Sequence, residues 1–301
     1  MPVFEQGYRR YTGPRTSGNR ALAIAWENVR PRLRWWVWVL LLVLAWPYLV
    51  LGILKFLLAF GFLPLPRNLP TGPLVAFDSR FNPPAILNTF RGAGPGLFWF
   101  AMDFASYSTM ILTSVTCAGL LASDRRTGAL QIYFARPVTR ADYLLGKVLS
   151  AAGFVGLTTL LPSLGLWAVS LAFGDVADFD WRTWIAPLSI AGAFAVYAFW
   201  TIALILALSS VVKRPAFVAI LSIFLWLFTE ALGNTLFHAF RDKSWQVIRP
   251  SVAIGTVTAQ LCGVTLPAWL SLPAAYGIAL GLPAVLFAFV WWRIRAVEVV
   301  T

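Results

Sequence analysis

Asp124-Arg125-Arg126-Thr127-Gly128-Ala129-Leu130-Gln131-Ile132-Tyr133-Phe134-Ala135-Arg136-Pro137-Val138-Thr139-Arg140, followed by Leu144-Leu145-Gly146-Lys147, is a charged, amphipathic island between two long apolar runs. Ala129, Leu130, Ile132, Tyr133 and Phe134 form a short apolar face beside Arg125, Arg126 and Arg136. Pro137 stops that element, because it has no backbone N–H to donate. Thr139 reads as the cap of the next helix, with Asp142 three residues later near the positive end of the helix dipole. An ordinary basic loop would carry the same arginines. The helix-compatible residues, the proline stop and the threonine restart favour a folded segment lying on a membrane surface.

The runs on either side of this island decide the fold class. Of 301 residues 59% are hydrophobic and only 12% charged, and mean hydropathy is +0.74, which leaves too little polar surface to close around a soluble core. A spanning helix needs about 20 apolar residues. Six segments qualify, at residues 35–57, 97–122, 149–173, 184–212, 216–240 and 271–292. The expectation is an all-α polytopic membrane protein with six transmembrane helices. Pro47, Pro162, Pro187, Pro273 and Pro283 lie in or at the ends of these runs and predict kinks, which membrane helices tolerate because neighbours re-satisfy the backbone.

Sixteen of the 24 Lys and Arg fall on one side of this layout, in residues 1–34 and 123–147, at Lys213 and Arg214, and at Arg293 and Arg295. That bias puts both termini in the cytoplasm. The formal charge of +12 flanks apolar runs and forms no groove interleaved with aromatics, so membrane topology accounts for it and nucleic acid does not. Ahead of the first run, Leu22, Trp26, Val29 and Leu33 recur at helical spacing with polar residues on the other faces. That pattern predicts an N-terminal interfacial amphipathic helix ended or bent at Pro31. The chain thus divides into a cytoplasmic N-terminus, 1–34, and one six-span domain, 35–301, with external loops 64–96, 174–183 and 241–270 and a cytoplasmic loop 123–147. A short re-entrant helix is expected around Val252–Leu261. Lys55, near the outer end of the first span, is expected to snorkel outward.

Within the bilayer, Asp103 and Glu230 each face a cost of about 2.5–3.5 kcal/mol at a helix centre, so something must compensate them. Glu230, Asn234 and His238 share one helical face. Asp103, Glu230 and Asn234 are therefore candidates for a transport pathway or subunit interface, with hydrogen bonding inside the bundle as the alternative. Cys117 and Cys262 cannot build a disulfide framework, and no Cys/His cluster has metal-ligand spacing. Asp175, Asp178 and Asp180 lack a second aspartate cluster to hold Mg²⁺ with them. No GxxxxGK[ST] loop is present, and His238, the single histidine, has no GxSxG beside it. Nothing here predicts a catalytic residue, a cofactor or a metal in this chain.

The acidic Asp124, then Thr127-Gly128-Ala129-Leu130, an apolar stretch, Arg136-Pro137-Val138-Thr139-Arg140 and Tyr143-Leu144-Leu145-Gly146-Lys147 resemble the region after the second span in permeases of ABC-2 type exporters. The family often has Glu where this chain has Asp124, and Ser where it has Thr139. The specific part of the resemblance spans about 25 residues. It implies a cytoplasmic coupling helix between spans 2 and 3 that rests on a nucleotide-binding subunit. Mapped onto this chain, the ATPase-coupling residues are Asp124, Arg125, Arg126, Thr127, Gly128, Leu130, Tyr133, Phe134, Pro137 and Arg140. The resemblance further implies a permease subunit of an exporter in the cell inner (plasma) membrane. ATP and Mg²⁺ would be bound by a separate cytoplasmic ABC ATPase, and a second permease chain would complete the transporter. The alternative is a polytopic membrane enzyme acting on lipid or isoprenoid substrates.

Overall fold

The structure is a computed structural model that describes residues 20–32, 35, 37–39, 45–59, 95–129, 139–173, 181–264 and 270–294. All regular structure among them is helical. In chain order the α-helices are α1 Arg20–Val29, α2 Trp46–Ala59, α3 Pro95–Cys117, α4 Gly119–Thr127, α5 Arg140–Val155, α6 Leu161–Phe173, α7 Trp181–Val211, α8 Pro215–Phe240, α9 Pro250–Leu261, α10 Leu272–Tyr276 and α11 Leu282–Arg293. Five stretches are long and apolar enough to cross a membrane: Ala105–Thr127, Arg140–Ala172, Thr183–Val211, Pro215–Phe240 and Leu272–Arg293. They correspond to the second to sixth expected spans. Of the first, residues 36 and 40–44 lie outside the described residues, and the continuous helix there is the 14-residue α2.

The loop expected at 123–147 is shorter than its charge suggested. Residues 119–127 prolong the second span as α4, and α5 begins at Arg140, so the third span carries its first two polar turns as helix. Both ends are encoded locally. Gly128 takes φ 71°, a left-handed conformation open to glycine, and its N–H closes on the Asp124 carbonyl. Thr139 Oγ1 accepts from the Asp142 N–H at 3.1 Å, and the Asp142 carboxylate accepts from the Thr139 N–H at 3.2 Å, a complete capping box.

Each helix interruption has an identifiable cause. Pro162 and Pro283 cannot donate to the carbonyls four residues before them, and a π-turn precedes each, Gly156–Leu160 and Gly277–Gly281, in which Leu161 and Leu282 reach back five residues instead. Pro187 leaves the Thr183 carbonyl without its helical partner, and the Trp167 indole donates to it at 3.0 Å. Between α3 and α4 the Ser209 hydroxyl takes the place of a helical bond, accepting from Ala122 N–H at 2.7 Å and donating to the Ala118 carbonyl at 3.2 Å.

The largest core joins α3, α4, α5, α7, α8, α9 and α11 through Tyr143, Phe154, Trp200, Ile205, Trp226 and Val290. A second cluster seats α2, where Tyr48 and Leu51 meet Phe98, Leu166 and Ile190. The short α9 is buried along nearly its whole length, with Trp99 donating to the Gly255 carbonyl at 3.0 Å. It occupies the segment expected to be re-entrant. The α8 and α10–α11 helices turn most of their apolar surface outward.

Helix α1 lies along α5 through its small-residue face, which leaves the stripe expected to be interfacial turned away from the bundle. Ala21, Ile24 and Ala25 are buried, whereas Leu22 and Trp26, the centre of the predicted apolar stripe, are 57% and 59% exposed. The close approach needs a glycine: a Cβ at Gly146 would sit 2.7 Å from Ile24 Cγ2 and 3.0 Å from the Ala21 carbonyl oxygen. Gly153, on the same helix, has nothing within 4 Å of such a Cβ. Replacing an exposed helical glycine by alanine gains up to about 1 kcal/mol, whereas overpacking costs about 1–3 kcal/mol. Gly153→Ala should therefore raise, and Gly146→Ala lower, the unfolding midpoint of the purified protein in detergent. Equal shifts would mean that α1 is not held in this register.

Candidate functional site

Three of the residues that carry the resemblance, Asp124, Tyr143 and Lys147, meet in one buried polar junction. Lys147 is fully buried on α5, and its ammonium meets Asp124 Oδ2 of α4 at 2.6 Å. The same carboxylate oxygen accepts from the Tyr143 hydroxyl at 2.8 Å. Tyr143 stands one helical turn before Lys147, whose ammonium also lies 5.3 Å from the Tyr143 ring centre. Lys147 donates further to Asn28 Oδ1 of α1 at 2.9 Å, and Ser150 to the Ala25 carbonyl at 3.3 Å. Asn28 is fixed in turn, donating to the Ile24 carbonyl at 2.6 Å and accepting from Arg32 at its own carbonyl at 2.8 Å. Burial draws the Arg32 guanidinium below its ordinary pKa, and the Asp124 charge opposes that shift. Three helices, α1, α4 and α5, thus share a single ion pair with its hydrogen bonds.

Around this junction the expected coupling residues separate. Thr127 and Arg126 are exposed at the end of α4, where the Thr127 hydroxyl donates back to the Ser123 carbonyl at 3.0 Å. Gly128 makes the anticipated turn. Arg140 is exposed in the first turn of α5. Arg125 does not face outward alone: it donates to the Ser210 carbonyl at the end of α7, which also accepts from Arg293 Nε at 2.9 Å. Leu130, Tyr133, Phe134 and Pro137 lie outside the described residues.

A second polar junction occupies the other end of the bundle. Glu230 is buried on α8 and pairs with Arg249 Nε at 3.0 Å. It also accepts from the Ser251 N–H at 2.9 Å and the Ser251 hydroxyl at 2.7 Å, at the start of α9. Arg249 donates as well to Gln246 Oε1 at 3.0 Å. Gly233 makes room for the arginine, since a Cβ there would lie 2.5 Å from Arg249 Cγ. This is the compensation that Glu230 required. Asn234 and His238, on the same helical face, are exposed, so the three do not form a continuous buried stripe.

Asp103, half-buried on α3, lines a narrow pocket with Ser106, Tyr197, Trp226 and the Gly255 backbone of α9. Its Oδ1 comes within 3.3 Å of where a Gly255 Cβ would stand. Among the described residues no three His, Cys, Asp or Glu side chains cluster as metal ligands would.

Reading the sequence alone missed Asn28, Tyr143, Arg249, Ser251 and Gln246 as junction members. One signal was present: Tyr143 and Lys147 share a helical face four residues apart. Gln246 stands three positions from Arg249, but Asn28 is 119 positions from Lys147, and Arg249 and Ser251 are 19 and 21 positions from Glu230. No protein-family model matches the chain, and no curated protein matches it.

Losing one member of a buried ion pair costs about 3–5 kcal/mol, because the other charge is left uncompensated, whereas replacing both is often near neutral. Asp124→Asn should lower stability by about that amount. Lys147→Met should cost less, since the Asp124 side chain keeps 15% exposure. The double variant should recover most of the loss, as read from unfolding of the purified protein. Strictly additive losses would show that the two side chains do not act as a pair.

Proposed function

We propose that this chain is the membrane-spanning permease subunit of an ABC-2-like exporter, driven by ATP hydrolysis in a separate cytoplasmic subunit. The observation that carries the reading is the shared ion pair: Asp124, Gly146 and Lys147, three residues of the resembling motif, are those that fasten α1 to the ends of two candidate spans. A push on the segment between Gly128 and Thr139 would reach α4 and α5 together and carry α1 with them.

In this reading α2 belongs to a first span, making six. The cytoplasmic side is the end with the basic excess, where both termini and the coupling segment lie, and the membrane is the cell inner (plasma) membrane. Helix α1 is the interfacial helix: its small-residue face is on α5, and exposed Leu22 and Trp26 are suited to the headgroup region. Tyr133 and Phe134 would be the apolar anchors for a groove on the ATPase. Six spans per chain imply two permease chains per transporter. Glu230 then acts as a fastening for α9, and Asp103 is the better candidate for a pathway residue.

The test is purification of the tagged chain from its native membrane in mild detergent. A P-loop ATPase should accompany it, with vanadate-sensitive ATP hydrolysis that the isolated chain lacks. Tyr133→Ala/Phe134→Ala should leave membrane insertion intact and weaken ATPase association at least about tenfold, as expected for hot-spot residues. Full association and transport by the double variant would remove the coupling role, and ATP-independent modification of a lipid by the chain alone would favour the enzyme.

A further inference from the structure

Arg125 and Arg293 come from different helices and both donate to one acceptor, the Ser210 carbonyl oxygen at the negative end of α7. A carbonyl at a helix C-terminus satisfies one N–H of each guanidinium, while each carries five donors. Like charges held this close repel, and among the described residues no carboxylate pairs with either: Asp124 is taken by Lys147 and Glu230 by Arg249. Arg126, Lys213 and Arg214 stand exposed on the same end of the bundle and add to the positive field. An anion with several acceptor oxygens is the complement of such an arrangement, and guanidinium forks match phosphate geometry.

The location says which phosphate. Arg125, Ser210 and Arg293 sit at the ends of three candidate spans, beside the start of a fourth at Pro215. At the same span ends Val211, Phe217, Trp291 and Trp292 are exposed and apolar. Paired tryptophans at a span terminus belong at the headgroup level of a bilayer. A phosphate held here has acyl chains directly beneath it. Basic side chains gathered where spans meet at the membrane surface are a recognised chemistry for anionic head groups.

We infer that Arg125 and Arg293 form a binding site for the phosphate of an anionic glycerophospholipid. The site does not depend on the permease reading, because it needs only a bilayer.

Lipid binding can be measured on the intact, purified chain by native mass spectrometry while titrating palmitoyl-oleoyl phosphatidylglycerol, with phosphatidylcholine as the zwitterionic reference. The unaltered chain should prefer phosphatidylglycerol by about tenfold or more, in line with the attraction of two basic side chains for an anionic head group. Arg125→Gln/Arg293→Gln should abolish the preference, and Lys213→Gln/Arg214→Gln should reduce it less than about threefold. Equal losses in the two double variants would mean a diffuse basic surface and would overturn the site. So would displacement of the lipid by millimolar inorganic phosphate, which would identify a free anion as the ligand. If the arginine variant does not fold, a head-group photoreactive phosphatidylglycerol on the unaltered chain decides: crosslinks within residues 210–214 and 291–293 support the site, and crosslinks confined elsewhere refute it.

Discussion

An ammonium ion removed from water must find a carboxylate, and where the carboxylate sits dictates which helices meet. Lys147 is fully buried, its partner Asp124 is 23 positions away, and the Tyr143 and Asn28 side chains take the remaining hydrogen bonds. Isolated burial of that charge would cost several kcal/mol, so α4 cannot leave α5 without breaking the pair. Asn28 extends the constraint to α1, and Gly146 removes the side chain that would hold α1 off. One electrostatic demand thus joins α1, α4 and α5 at one end of the bundle.

The opposite end repeats the logic with different residues. Glu230 binds Arg249 and both donors of Ser251, so the start of α9 is held to α8. Between these ends the backbone obeys the rule that an apolar surround leaves no polar group to water. The proline-freed Thr183 carbonyl finds Trp167, and the α3–α4 break finds the Ser209 hydroxyl. The bundle is consequently stapled by ion pairs at both ends and by side-chain donors and acceptors within. That arrangement suits helices which move as groups and are not remade individually.

Much of this was legible in the sequence, and the exceptions share a cause. Apolar runs of spanning length located the long helices to within a few residues, except where polar turns such as 140–147 open a helix that hydropathy starts late. Gly128, Thr139 and Asp142 were readable because caps and turns are local chemistry. The buried face of α1 was not. Leu22 and Trp26 have the periodicity of an apolar face, but beside a membrane the most hydrophobic face need not be the one against protein, and Ala21, Ile24 and Ala25 allow the closer approach. The Glu230, Asn234 and His238 pattern gave a common helical phase but not a common depth, since the later residues run out to the exposed end of α8. Charge partners such as Asn28 and Arg249 were invisible, because no local rule links positions so far apart in the chain.

The central claim is that α1 and the start of α5 form one rigid unit because of the Asp124–Lys147–Asn28 junction. Spin labels at the exposed positions Leu22 and Leu145 report on it directly through the distance distribution between them, measured by pulsed electron resonance on the protein in bilayer nanodiscs. The account predicts one narrow distribution in the otherwise unaltered chain and a broad or multimodal one when Lys147→Met is added. A broad distribution in the unaltered chain, or an unchanged narrow one in the Lys147→Met variant, would contradict it.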